Sequence, residues 1–110
     1  MDVDAVFHAL GDSTRRALLE RLSAGPCSVS HLAAPFPISL AAVVQHLQVM
    51  EQCGLVQTEK VGRVRTCSIA PGGTDAAIAW LQARRTPAER QLDRLGDHLS
   101  RTSPTEQEDR

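Results

Sequence analysis

Apolar positions recur at helical spacing from the start of the chain: Val3, Val6, Phe7 and Leu10 share one face, and Gly11 closes the segment. A second helix follows at once, with Asp12 or Ser13 as cap, Ala17, Leu18 and Leu22 on its apolar face, and Gly25-Pro26 as its stop. Arg15, Arg16 and Arg21 fall off that face and are expected in solvent. Ser28 caps a short third helix carrying Val29, Leu32 and Ala33. That helix cannot run through "APFP", because proline disfavours helix both in itself and in its predecessor. Ser39 then caps a longer fourth helix reaching about Cys53, with Gly54 beyond it. Helix, short turn, longer helix is the helix-turn-helix unit.

After Gly54 the period falls from 3.6 to 2. Residues 55–60 and 63–69 are rich in β-branched side chains, alternate, and are joined at Val61-Gly62, which predicts a β-hairpin. A hairpin directly after a helix-turn-helix is a wing. Pro71-Gly72-Gly73 makes a loop, and Thr74 or Asp75 begins a helix with Ile78, Trp80 and Leu81. "TPAE" at 86–89 fits a capping box, with Thr86 as cap and Pro87 at the first helical position, so a break is expected near Arg85. Leu92, Leu95 and Leu99 follow as a stripe edged by Arg90, Asp93, Arg94 and Asp97. The expected fold is mostly α with a small β-hairpin wing, over residues 1–99. From Ser100 to Arg110 the polar composition predicts a disordered tail.

Composition narrows the function more than the charge does. The formal net charge is -1, and the last eleven residues supply it, with Arg101 and Arg110 against Glu106, Glu108 and Asp109; the remainder is neutral, so only local patches inform about partners. A chain of 110 residues seldom holds a deep catalytic cleft beside its core, and no nucleophile-base spacing or Gly-rich phosphate loop occurs, so no enzyme is expected. Three cysteines at wide spacing and no apolar leader suggest a cytoplasmic protein, and no run approaches the ~20 apolar residues of a membrane span. The three aromatics, Phe7, Phe36 and Trp80, cannot form a base-stacking platform.

Three stretches together carry a family resemblance. "FHALGDSTRRALLERLSAGPCSVSHLA", "VVQHLQVMEQCGLVQTEKVGRVRTCSI" and their order resemble the ArsR/SmtB winged helix-turn-helix repressors over roughly residues 5–69, down to the "HL", the "GLV" and the "GR" at the wing tip. "AWLQARRTPAERQLDRLGDHL" resembles the branch whose C-terminal helices complete a dimer. The resemblance implies a homodimeric repressor that leaves DNA on a signal. Two such units about a two-fold axis would set their second helices in successive major grooves, about 34 Å apart, on a pseudo-palindromic operator. The dimer is expected through Val3, Val6, Phe7 and Leu10 with Ile78, Leu81, Leu92, Leu95 and Leu99, more apolar surface than one winged helix needs.

On the fourth helix, Val43, Leu47 and Met50 face the core, while Ala41, Val44, Gln45 and Gln48 face elsewhere. The family's base-contacting positions match that second set together with Leu40, where relatives more often carry a polar residue. Gln45 and Gln48 can bond base edges or phosphates, Leu40, Ala41 and Val44 can touch thymine methyls, and Ser39 sits at the helix start where a phosphate docks. His46 is expected to make a structural hydrogen bond. On the wing Lys60, Arg63 and Arg65 stand against one Glu59, giving +2 where a hairpin meets the DNA backbone or minor groove.

No metal or other cofactor is expected. Ser28 and Ser30 stand where metal-sensing relatives place cysteines, Cys27 is out of register, and the helix after the wing offers only Asp75. Asp93, Asp97 and His98 are the residual metal candidate, with a solvated face as the favoured reading because a firm site needs three or four convergent ligands. Cys53 and Cys67 are the candidate thiol switch, with buried inert cysteine as the competing reading. Another alternative is a protein-interaction module docking a partner on the apolar fourth helix. The residues name no effector.

Overall fold

The computed structural model describes residues 2–108. Helices α1 (Val3–Leu10), α2 (Ser13–Leu22), α3 (Val29–Ala33) and α4 (Leu40–Gln52) are followed by strands β2 (Val56–Val61) and β3 (Val64–Ile69), then α5 (Asp75–Gln82) and α6 (Pro87–Glu108). A two-residue strand β1 (Cys27–Ser28) precedes α3 and pairs antiparallel with β3, so the sheet has three strands in the order β1-β3-β2. The expected hairpin is therefore part of a larger sheet. Nothing local marks β1: Pro26 precedes it and a helix cap ends it, and only the partner strand, some forty residues on, makes it a strand.

The boundaries follow from side-chain chemistry. Asp12 Oδ2 accepts the Arg15 N–H at 3.0 Å, Ser28 Oγ that of His31 at 3.2 Å and Ser39 Oγ that of Ala42 at 3.1 Å. Each satisfies one of the backbone donors that a helix start leaves without an intrahelical partner. At the end of α4, Gly54 takes φ +84°, and Leu55 N–H and Gly54 N–H bond the carbonyls of Met50 and Glu51, a Schellman closure that turns the chain straight into β2. The turn between β2 and β3 is Gly62-Arg63, with φ +63° at the glycine and none at the arginine, the pattern of a type II′ hairpin.

The core gathers Val6, Leu18, Leu32, Val43, Met50, Leu55 and Cys67, all fully buried, with Leu22, Leu47 and Val56 nearly so. Each large aliphatic side chain buried this way contributes about 1.5–3 kcal/mol. Val6 is thus corrected: assigned by pattern to a dimer surface, it has no exposed area and belongs to this chain's own core. Its neighbours Val3, Phe7 and Leu10 pack on the core only in part.

Arg15 departs from expectation in being partly covered, whereas Arg16 is exposed as expected, and both bond the end of α1. Arg15 Nε donates to the Ala9 carbonyl at 2.7 Å and Nη2 to that of His8 at 3.2 Å, while Arg16 Nη1 donates to the Leu10 carbonyl at 2.7 Å. The end of α1 leaves carbonyls without partners and carries partial negative charge, and cations placed just after the turn satisfy both.

The chain divides into two compact units, residues up to Ala79 and residues from Trp80, where one domain to residue 99 was expected. Ala77 is buried within the first. In the second, Thr86 Oγ1 accepts the Glu89 N–H at 3.2 Å and starts α6 after the expected break, Arg85 Nε lies 3.7 Å from Glu89 Oε2, and Arg84 stacks 4.9 Å over the Trp80 ring. Helix α6 continues to Glu108, past Ser100 where composition predicts a disordered tail; adding a residue to an existing helix needs no new nucleus. Residues 109 and 110 of that tail lie outside the described residues.

Candidate nucleic-acid interface

The α4 sequence places two faces back to back. Val43, Leu47 and Met50 are buried, whereas Leu40, Ala41, Gln45 and Gln48 are exposed and Ser39 precedes them at the open helix end. Leu40 keeps 52% of its surface, which in an apolar residue at the first turn means that nothing in the chain covers it. Val44 is intermediate, half on the core and half at the edge of the outward row.

His46 lies on the flank of this row and is held from behind. Its Nδ1 is 3.3 Å from Arg15 Nη1 and 3.9 Å from Asp12 Oδ2, so the expected structural hydrogen bond is present. The Arg15 backbone N–H at the cap, with the charges of Arg15 and His46, holds the Asp12 carboxyl below its ordinary value. One cluster therefore joins the cap of α2, the end of α1 and the middle of α4.

On the wing, Lys60, Arg63 and Arg65 are all exposed, and Lys60 and Arg65 are direct cross-strand partners. Like charges opposite one another destabilise a strand pair, so this arrangement costs the free protein and is relieved by an anion. Period-2 alternation puts Val56, Thr58 and Lys60 of β2 with Arg65, Cys67 and Ile69 of β3 on one face, of which Val56 and Cys67 are buried in the core. Lys60 and Arg65 extend that same face outward from the core. Between wing and helix lies an open cleft of about 230 Å³ lined by Val29, Val44, Leu47, Gln48, Glu51, Thr58 and Arg65. Val44 and Gln48 of the outward α4 row and Arg65 of the wing thus share one depression. The sequence pattern missed Glu51 and Thr58, which link them; each looks like an ordinary solvated residue until the fold is known.

Cys53 and Cys67 are buried beneath this surface. Cys53 donates its thiol to the Met50 carbonyl at 3.3 Å, and Cys67 is opposite Cys27 on one side and Thr58 on the other. Burial, with Glu51 and Cys27 adding to it, pushes the Cys67 thiol up to about 11. Among the described residues no three His, Cys, Asp or Glu side chains converge as metal ligands; Asp93 is engaged by Arg85. No helix among them is long and apolar enough to cross a membrane.

Comparison with known proteins points to the same fold. A helix-turn-helix domain family matches residues 10–59. The HTH-type transcriptional regulator Rv2034 of Mycobacterium tuberculosis is 40% identical over 85 residues, 73% of this chain and 79% of that protein. The crystal structure of an ArsR family transcriptional regulator superposes with a TM-score of 0.67 at 45% identity, over 81% of this chain and 86% of the other. A homodimeric winged helix-turn-helix DNA-binding domain from Mycobacterium bovis, solved in solution, matches with a TM-score of 0.62 at 26% identity, over 74% and 75% of the two chains.

Proposed function

Since the chain belongs to the ArsR family of winged helix-turn-helix transcriptional regulators, we propose that it is a homodimeric repressor that reads a pseudo-palindromic operator with α4 and grips the backbone or minor groove with its wing. The observation that carries this reading is the pairing, across one cleft, of Val44 and Gln48 from the outward α4 row with Arg65 of the wing, whose cross-strand partner is Lys60. Gln45 and Gln48 supply hydrogen bonds, Leu40, Ala41 and Val44 meet thymine methyls, and Ser39 lies beside a phosphate at the helix start. Lys60, Arg63 and Arg65 provide the counter-charge for phosphates, which dominates affinity without reading sequence.

A dimer follows from geometry, because one short helix reads too few base pairs and a two-fold pair reads two half-sites. Ile78, Leu81, Leu92, Leu95 and Leu99 are exposed and supply the self-association surface, with Val3, Phe7 and Leu10 contributing what the core leaves open. We assign no reaction and no cofactor to the chain. Cys53 and Cys67 are core thiols in this reading, since the thiolate is the reactive species and both side chains are buried. Partner docking on the apolar side of α4 is disfavoured by the burial of Val43, Leu47 and Met50 in the chain's own core.

The test is a gel shift on the region upstream of its own gene, repeated over a salt series. Binding weakens steeply with salt, and Arg63→Ala flattens the dependence by about one released counterion. Gln45→Ala and Val44→Ser lower discrimination between operator and unrelated DNA by about 1–3 kcal/mol per base pair misread. Salt-independent binding, or unchanged discrimination in both α4 variants, refutes the reading.

A further inference from the structure

Thr58, in the middle of β2, is a relay between the last turn of α4 and the wing. Its hydroxyl donates to Glu51 Oε2 at 2.5 Å, and its oxygen accepts from Arg65 Nη1 at 3.2 Å. A hydroxyl has one proton to give, so donating it to the carboxylate fixes the rotor and presents a lone pair to the guanidinium. Arg65 is opposite Lys60 in the strand register, which makes Thr58 its diagonal neighbour, within reach of a long side chain. Lys60 repels Arg65; the Glu51 charge, passed through Thr58, holds it. One of the five guanidinium N–H donors is used in this way and four remain.

We infer that Glu51 and Thr58 are positioning residues of the DNA interface, which lock the wing to α4 and aim Arg65 at a backbone phosphate so that helix and wing bind as one rigid unit. The inference rests on the DNA-binding reading above. Three features support it. The relay connects the two elements that must engage groove and backbone together. It spans the cleft between them. It also explains a carboxylate placed at the edge of a surface meant for an anion: Glu51 carries the wrong sign for contact with DNA but the right one for holding an arginine. A site pre-set in this way avoids the cost of ordering a flexible cation when the complex forms.

Simple electrostatics and positioning predict opposite results at Glu51. Removing a negative charge beside DNA tightens binding if charge alone matters. If positioning matters, Glu51→Ala weakens it, while Glu51→Gln, which keeps an acceptor for Thr58, retains parental affinity or better. The experiment is fluorescence anisotropy of the full chain with a labelled duplex from its own upstream region over a salt series, each variant first checked for a parental unfolding transition. We expect about a tenfold loss for Glu51→Ala and for Thr58→Val, recovery in Thr58→Ser, and an unchanged salt slope in all of them because no cation is removed. Arg65→Ala lowers the slope by about one, and adding Thr58→Val to it costs nothing more, since the relay then has nothing to hold.

Tighter binding by Glu51→Ala, or additive losses in the Thr58→Val/Arg65→Ala pair, overturns the inference. Should Thr58→Val fail the unfolding check, the exposed Glu51 carries the decision alone. A parent that shows no salt-dependent binding overturns the DNA reading and this inference together, whereas a binding parent with an indifferent Glu51→Ala overturns this inference only.

Discussion

Helices α4 and α6 both carry apolar side chains at helical spacing, yet only one of them is covered by its own chain. In α4, Val43, Leu47 and Met50 are buried against the rest of the first unit; in α6, Leu92, Leu95 and Leu99 keep 67%, 54% and 55% of their surface. The spacing 43, 47, 50 differs little from 92, 95, 99, so periodicity alone cannot say where the cover comes from. What differs is the context. Helix α4 follows a cap and a turn that fold it back onto α2 and α3, whereas α6 begins after a break in a unit with too few other apolar residues to bury a stripe. An uncovered leucine stripe of this kind is what the proposed self-association surface requires.

The sharpest test of this contrast is to make the same truncation on both sides. Leu47→Ala, at a site 4% exposed, removes buried area and leaves a cavity, and urea unfolding should show a loss of about 2–5 kcal/mol. Leu95→Ala should leave the unfolding of the first unit where it was. Equal losses at the two positions would mean that α6 is covered within the chain after all.

The next effect concerns assembly. Leu92→Glu with Leu95→Glu places two charges in the stripe, and sedimentation should show a monomer in place of the dimer proposed for the parent. Because two half-sites bound together gain from effective concentration, affinity for a two-fold operator should fall by about 100-fold or more, while binding to a single half-site stays the same. A doubly substituted protein that remains dimeric would move the interface away from α6.

Much of this was legible in the sequence, and the gaps have physical causes. The caps Ser28, Ser39 and Thr86 and the stop at Gly54 depend on residues within a few positions of one another, which is why local chemistry finds them; the wing turn falls one residue later than expected, at Gly62-Arg63, because the Val61–Val64 pair closes the strands. Val6 was misassigned because a helix face has no label for which neighbour it meets. The carbonyl partners of Arg15 and Arg16 and the strand β1 escaped for the related reason that the α1 carbonyls and β3 are brought to them by tertiary placement. The residues proposed to touch DNA, by contrast, rest on register on one helix and one hairpin together with the family resemblance, and the structure leaves Ser39, Leu40, Ala41, Gln45, Gln48, Lys60, Arg63 and Arg65 exposed. Exposure is a condition for contact, and the operator experiments decide the contact itself.

The smallest expected effect probes burial from the covered side. Cys67 is fully buried and its thiol is raised to about 11 in the folded chain, above the value it takes when unfolded. The unfolded state therefore releases this proton first as pH rises. By linkage, the neutral thiol's contribution is complete below the unfolded value, near 9, and is lost progressively as pH climbs through the folded one. Unfolding of the first unit should thus become easier between about pH 9 and 11, and Cys67→Ala should remove that part of the decline, at the cost of a lower starting stability from the small cavity it leaves. The uncovered α6 stripe contains no titrating group, so the same variant should leave the dimer's response over this range unchanged. An identical alkaline decline in parent and Cys67→Ala would show that the thiol meets water more readily than its place in the central strand implies.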